Sequence, residues 1–135
     1  MTTLLRSAPY FPVADVAATA THYEQIFGFR CDYVAGDPAQ FAICSRDGLA
    51  IMLRRVAGPE LIRANEAQGG TWDAFFWVDD VDALHAEMVQ RGANVAYGPI
   101  VQDSYHMREF ALRDPDGHVL GFGQPLENNS ASELR

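Results

Sequence analysis

The apolar positions of this chain change period several times, and each change marks an element. Near the end of the chain, Phe110 and Leu112 stand two apart, as one face of a strand requires, and Val119, Leu120 and Phe122 resume an apolar strand after a break. The break is Asp114-Pro115-Asp116-Gly117. Pro115 presets φ at the second turn position, and Gly117 closes the turn without a Cβ clash. The stretch from Met107 to Gly123 therefore reads as strand, tight turn, strand. An echo lies earlier, where Ser45-Arg46-Asp47-Gly48 leads into Leu49-Ala50-Ile51-Met52-Leu53.

From the start, Ala8 to Val13 reads as a strand, pushed towards a sheet edge by Pro9 and Pro12. Asp15 suits the N-cap of a helix running to Phe27, and Gly28 suits its stop. Val16, Ala20, Tyr23 and Phe27 give that helix an apolar stripe. Strands are predicted at 30–34, 41–44 and 49–54, separated by Gly36-Asp37-Pro38 and Asp47-Gly48. Residues 55–71 read as a connector, broken at Gly58-Pro59 and ended by Gly69-Gly70, and able to act as a flap. Then the pattern returns. A strand at 73–78 precedes a helix capped by Asp80, striped by Val81, Leu84 and Met88 and stopped by Gly92; strands at 95–97, 107–113 and 119–122 follow.

The return is a repeat. Val13-Ala14-Asp15-Val16 matches Val78-Asp79-Asp80-Val81, 65 residues on, and the turn glycines Gly48 and Gly117 are 69 apart. Each half is strand–helix–strand–strand–strand. Neither half can cover both faces of its sheet alone. The expected fold is α+β, with paired βαβββ modules contributing eight strands to a curved mixed sheet, helices outside and a cleft inside. Module one spans about 8–54, the connector 55–71, module two about 72–124 and a tail 125–135, all within one domain.

With 48% hydrophobic residues among 135, the chain can bury a core. Its net charge of −8 argues against a nucleic-acid partner, whose binders carry basic patches. The same charge is compatible with a cationic ligand, although acidic surfaces also serve solubility. No apolar run approaches membrane-spanning length or resembles a signal peptide, so a cytoplasmic location with no membrane partner is expected. Cys31 and Cys44 have no metal-type spacing and read as inert buried thiols.

The doubled pattern, with Phe11-Pro12-Val13-Ala14-Asp15-Val16 leading to Tyr23 and Phe27-Gly28-Phe29, resembles the glyoxalase/bleomycin resistance protein/dioxygenase (vicinal oxygen chelate) superfamily. Phe76-Trp77-Val78-Asp79-Asp80-Val81 and Arg113-Asp114-Pro115-Asp116-Gly117 carry the same likeness. It covers about residues 8–124. Tyr105-His106-Met107-Arg108-Glu109-Phe110, running into the turn, suggests the bleomycin-resistance-like branch. The resemblance implies a homodimer, because such proteins commonly build clefts with a partner chain. Metal enzymes of this superfamily place a His, Gln or Glu on the first and last strand of each half. Carried over, those positions are Ala8, Met52, Asp73 and Gly121. Ala8 and Gly121 have no ligating side chain, Met52 offers a soft thioether, and Asp73 alone makes no site. No metal and no cofactor are therefore expected.

Strand alternation puts Asp73, Phe75 and Trp77 on one face, Tyr10 beside Ala8 and Pro12, and Arg54 beside Met52. Such an aromatic, apolar lining with one acid and one base suits a flat or amphipathic molecule, or simply fills a closed core. Tyr105, His106, Arg108 and Glu109 form a second cluster. His106 could serve as base and Glu109 as acid, or Arg108 could clamp a carboxylate, or the run could be a surface loop with an ordinary ion pair. His22 and His85 fall on helices and are expected to be solvated or interfacial; His118 is expected to be exposed. Two functions follow: capture of a small aromatic or amphipathic molecule without metal, or a lyase, isomerase or dioxygenase of the same superfamily. The ligand inventory favours capture.

Overall fold

The computed structural model describes residues 1–127; the tail expected at 125–135 lies outside them beyond Glu127. The chain divides into two compact units, Met1–Arg63 and Ala64–Arg135, and the division falls inside the expected connector.

In the first unit, β1 (Tyr10–Val13) leads into α1 (Val16–Gln25), followed by β2 (Arg30–Ala35), β3 (Phe41–Arg46) and β4 (Leu49–Arg55). Asp15 caps α1 as expected, its Oδ1 accepting the Ala18 N–H at 3.0 Å. The chain leaves the helix through Gly28 at φ 71°, a conformation few side chains tolerate. Strand order is β1-β4-β3-β2, with β1 and β4 parallel and the remaining pairs antiparallel. β1 is an edge strand, where Pro12 costs no ladder bond. Phe11, Val13, Ala42, Cys44, Ile51 and Leu53 are buried with Val16, Ala20 and Tyr23 of α1. Tyr23 meets Phe27 and Phe29 edge-on at 5.0 and 5.7 Å. The opposite face carries Tyr10 beside Met52 and Pro12 beside Arg54 in register.

The second unit repeats the plan with β5 (Ala74–Trp77), α2 (Val81–Gln90), β6 (Asn94–Gln102), β7 (Met107–Arg113) and β8 (Val119–Pro125) in the order β5-β8-β7-β6. Asp80 caps α2 through the Ala83 N–H at 3.1 Å. Val81 and Met88 are buried and Leu84 is half-buried. His85 also faces the sheet, its ring 5.2 Å from that of Phe110. Phe76, Phe122 and Phe110 stack in succession at 5.3 and 5.2 Å, forming the centre of this core.

The Asp114-Pro115-Asp116-Gly117 turn forms as expected, with the Gly117 N–H on the Asp114 carbonyl at 3.1 Å. Asp114 Oδ1 also accepts the N–H groups of Asp116 and His118, each at 2.9 Å. His118, expected to be exposed, is buried, its Nδ1 lying 3.0 Å from Asp114 Oδ2. No helix among the described residues is long and apolar enough to cross a membrane.

Candidate ligand-binding site

Alternation along β5 places Phe75 and Trp77 on the sheet face away from α2. Neighbouring β8 presents Gly121 and Gly123 in register with them. These glycines are a requirement of packing. A Cβ on Gly121 would come within 2.6 Å of Trp72 Cδ1 and 2.7 Å of Phe75 Cδ2. A Cβ on Gly123 would come within 2.5 Å of Met107 Cε and 2.6 Å of Phe75 Cζ. The bare backbone of β8 is thus the floor on which aromatic rings lie. Trp72 and Phe75 meet edge-on at 4.7 Å, and Phe75 and Trp77 at 5.1 Å. With Tyr105 and Met107 they line an almost wholly apolar pocket of about 340 Å³. Trp77 is 60% exposed, so one wall presents an indole to solvent.

Trp72 is held from two sides. Asn65 Nδ2 donates to its carbonyl at 2.7 Å, and its indole N–H donates to the Tyr97 hydroxyl at 2.8 Å. Alternation places Trp72 opposite Phe75, but β5 begins only at Ala74, and the strand period does not govern a residue in the preceding turn. Met107 had a signal, since it shares the β7 parity of Glu109.

Glu109 lies beneath this wall. It is 0% exposed, on the same β7 face as Met107, and accepts the Tyr105 hydroxyl on Oε1. Its Oε2 is buried with no hydrogen-bond partner among the described residues. A buried carboxyl oxygen left in this state is costly. Burial, the bond to Glu109 and the Glu109 charge all push the Tyr105 phenol far above its ordinary value, so it remains a donor at neutral pH. Tyr97 is also raised, by burial first, against the downward pull of the Trp72 N–H, with Glu109 adding to the rise.

The other candidates are placed differently. Asp73 does not face the pocket with Phe75 and Trp77. It sits just before β5, and its carboxylate is taken by two backbone donors: the Asn65 N–H on Oδ1 at 2.9 Å and the Val119 N–H on Oδ2 at 2.8 Å. It ties the end of the connector to the start of β8. Arg108 turns to the α2 face and grips Asp82, with Nη2 to Oδ1 at 2.9 Å, so it is no clamp for a ligand in this pocket. His106 is exposed at φ 57° in the turn before β7 and makes no hydrogen bond to Glu109. Its carbonyl accepts the Leu126 N–H at 3.0 Å. Of the second cluster, the structure brings together Tyr105 and Glu109.

In the first unit, Tyr10 is 56% exposed, with the Arg54 guanidinium 5.6 Å from its ring centroid and Phe41 edge-on at 6.2 Å. Met52 lines a separate hollow of about 880 Å³, of mixed polar and apolar lining, with Arg30, Asp32, Ser45 and Arg46. Ser45 Oγ and the Arg30 guanidinium both bond Asp32, and in that order they hold its carboxyl below the ordinary range.

The superfamily's metal positions do not fit a metal here. Both oxygens of Asp73 hold backbone N–H groups, and Gly121 is covered by the Trp72 and Phe75 rings. Asp114, Asp116 and His118 do gather ligand atoms within 4.8 Å of one another, but both oxygens of Asp114 already staple the turn.

A doubled βαβββ fold with an aromatic pocket beside β5 and β8 defines a class of protein, and residues 7–122 match the profile of the Glyoxalase/Bleomycin resistance protein/Dioxygenase superfamily. The chain belongs to this superfamily. Among solved structures it is similar to the bleomycin-binding protein from bleomycin-producing Streptomyces verticillus, complexed with copper(II)-bleomycin (27% identity, 90% of this chain and 97% of that one, TM-score 0.66). It is also similar to TnmS3, an antibiotic binding protein from Streptomyces sp. CB03234 (26% identity, 93% and 98%, TM-score 0.68). TioX from Micromonospora sp. ML1 shares the fold at 22% identity over 90% and 99%, with a TM-score of 0.71. No curated protein matches the chain.

Proposed function

We propose that this protein captures a small molecule that has a planar aromatic part and a cationic group, and that it does so without a metal of its own. The observation that carries this reading is the apolar pocket of Trp72, Phe75, Trp77, Tyr105 and Met107, one wall of which, Tyr105, is bonded to the buried Glu109. Perpendicular rings offer faces for stacking and for cation–π contact. A buried carboxylate with one free oxygen rewards a ligand that brings a positive N–H or an ammonium group. The antibiotic-binding character of two similar structures supports the same reading. A homodimer is part of the proposal. The exposed aromatic side chains Tyr10, Tyr33 and Trp77, at 56%, 54% and 60%, are the kind of surface a partner chain covers.

The test is tryptophan fluorescence titration with bleomycin-like glycopeptides, mitomycin-like quinones and planar cationic dyes. At least one cationic aromatic compound is expected to quench the wild type, to bind several-fold more weakly to Trp77→Leu, and to lose its advantage over a neutral analogue in Glu109→Gln. A compound that binds wild type and the Trp77→Leu, Glu109→Gln double variant equally would place the site elsewhere. Sedimentation velocity reports the oligomeric state, and a monomer at all accessible concentrations would remove the dimer from the proposal.

A further inference from the structure

Cys31 on β2 and Cys44 on β3 are directly opposite each other in the antiparallel ladder. The Cys31 N–H turns away from β3 and donates to Glu24 Oε2 at 3.1 Å. The pair therefore occupies the narrow site of the ladder, where neither residue bonds the other's backbone. There Cα atoms are typically about 4.5 Å apart and side chains closest. That spacing falls within the window of roughly 4.4–6.8 Å that a disulfide spans. β2 is an edge strand, and its ladder shifts register immediately after Cys31, which gives the backbone room to adjust.

The two thiols differ in a useful way. Cys44 is buried and Cys31 is half-buried. Burial first, and then the neighbouring Cys31 thiol, push the Cys44 thiol up to about 12. The sulfurs are thus close enough to influence each other, while only one of them meets solvent. The Cys31 Sγ also makes a long contact to the Tyr33 carbonyl, at 3.8 Å.

We infer that Cys31 and Cys44 form an oxidative modification site that a hydroperoxide converts into a cross-strand disulfide. The Cys31 sulfur attacks the peroxide O–O bond and becomes a sulfenic acid; one oxygen leaves as water, or as an alcohol from an organic peroxide. The Cys44 sulfur then attacks the Cys31 sulfur, the S–O bond breaks, and hydroxide leaves with the Cys44 proton as water. The two thiols give up two protons and two electrons, and the peroxide takes both as its O–O bond is reduced. The bridge pins the edge strand to β3 at the place where Arg30 and Asp32, beside Cys31 in sequence, line the hollow of the first unit.

The experiment uses the reduced full chain and a few equivalents of hydrogen peroxide, followed by alkylation under denaturing conditions and intact mass measurement. Both cysteines fall in one tryptic segment, residues 31–46. The expected product is that segment, lighter by two hydrogens, unalkylated at both positions and restored by reductant. Closure should be faster at high pH, because more of the Cys44 thiol ionises. In Cys31→Ser, Cys44 should stay reduced through the same exposure. Three results would each overturn the inference: Cys31 driven to sulfinic or sulfonic acid while Cys44 still alkylates, a disulfide formed only between chains, or Cys44 oxidised equally fast in Cys31→Ser.

Discussion

A glycine and a histidine decide more at the residue scale than their types suggest. Gly121→Ala would drive a methyl group into Trp72 and Phe75, and overpacking of this kind costs about 1–3 kcal/mol. Thermal unfolding should show that loss, and ligand quenching should fall more than stability alone explains, because the displaced rings are the pocket wall. His118 gives a pH signature. Burial pushes its imidazole down, but the bond to Asp114 and the charges of Asp114, Asp73 and Asp116 outweigh this and hold it above the ordinary value. A raised folded value means the stabilisation is complete below about pH 6.5, the unfolded value, and is lost as pH rises through the folded one. The melting-temperature gap between wild type and His118→Asn should therefore shrink as pH is raised; a constant gap would show no protonation linkage. Phe75, Trp77 and Tyr105 were legible in the sequence by alternation and proximity. Asp73 was not, because its role depends on an N–H delivered by Val119, 46 residues away.

Helices and turns were the most legible elements. Asp15 and Asp80 cap their helices through the same third-residue N–H, so Asp15→Ala and Asp80→Ala should each cost about 1 kcal/mol in chemical denaturation. Phe27 is fully buried, and Phe27→Ala should cost roughly 3–5 kcal/mol. Leu84→Ala should cost less, since Leu84 is half-exposed and His85 shares its place on the sheet. Strand ends were less legible. β6 was expected to stop at Tyr97, before Gly98-Pro99, yet it runs from Asn94 to Gln102 with its ladder irregular between Tyr97 and Ile100. It is an edge strand, so the missing proline donor takes no bond from a further neighbour.

Charge acts on the whole molecule in two ranges. The net charge of −8 draws cations from a distance, and salt screens that attraction beyond about 10 Å at 0.1 M. Glu109 is fully buried, and its contact with a ligand cation would be screened far less. Stopped-flow binding of a cationic dye should therefore slow as salt rises, while the preference for the cation over its neutral analogue persists. A preference that vanishes with salt would assign the selectivity to surface charge. The sequence by itself determined the α+β plan, the helix caps and the Asp-Pro-Asp-Gly turn, because these depend on spacing within a few residues, and the repeat, because those local signals recur 65 to 69 residues on. Tertiary structure decided which acid a side chain of the pocket wall bonds: Tyr105 donates to Glu109. Asp73 and Glu109 both lie beside apolar strands in the sequence. Backbone donors from Asn65 and Val119 consume the first, whereas the second is buried on the β7 face it shares with Met107, with one oxygen unmatched. Trp72 belongs to the pocket for the same reason: Asn65, Tyr97 and the bare floor at Gly121 fix where its ring lies.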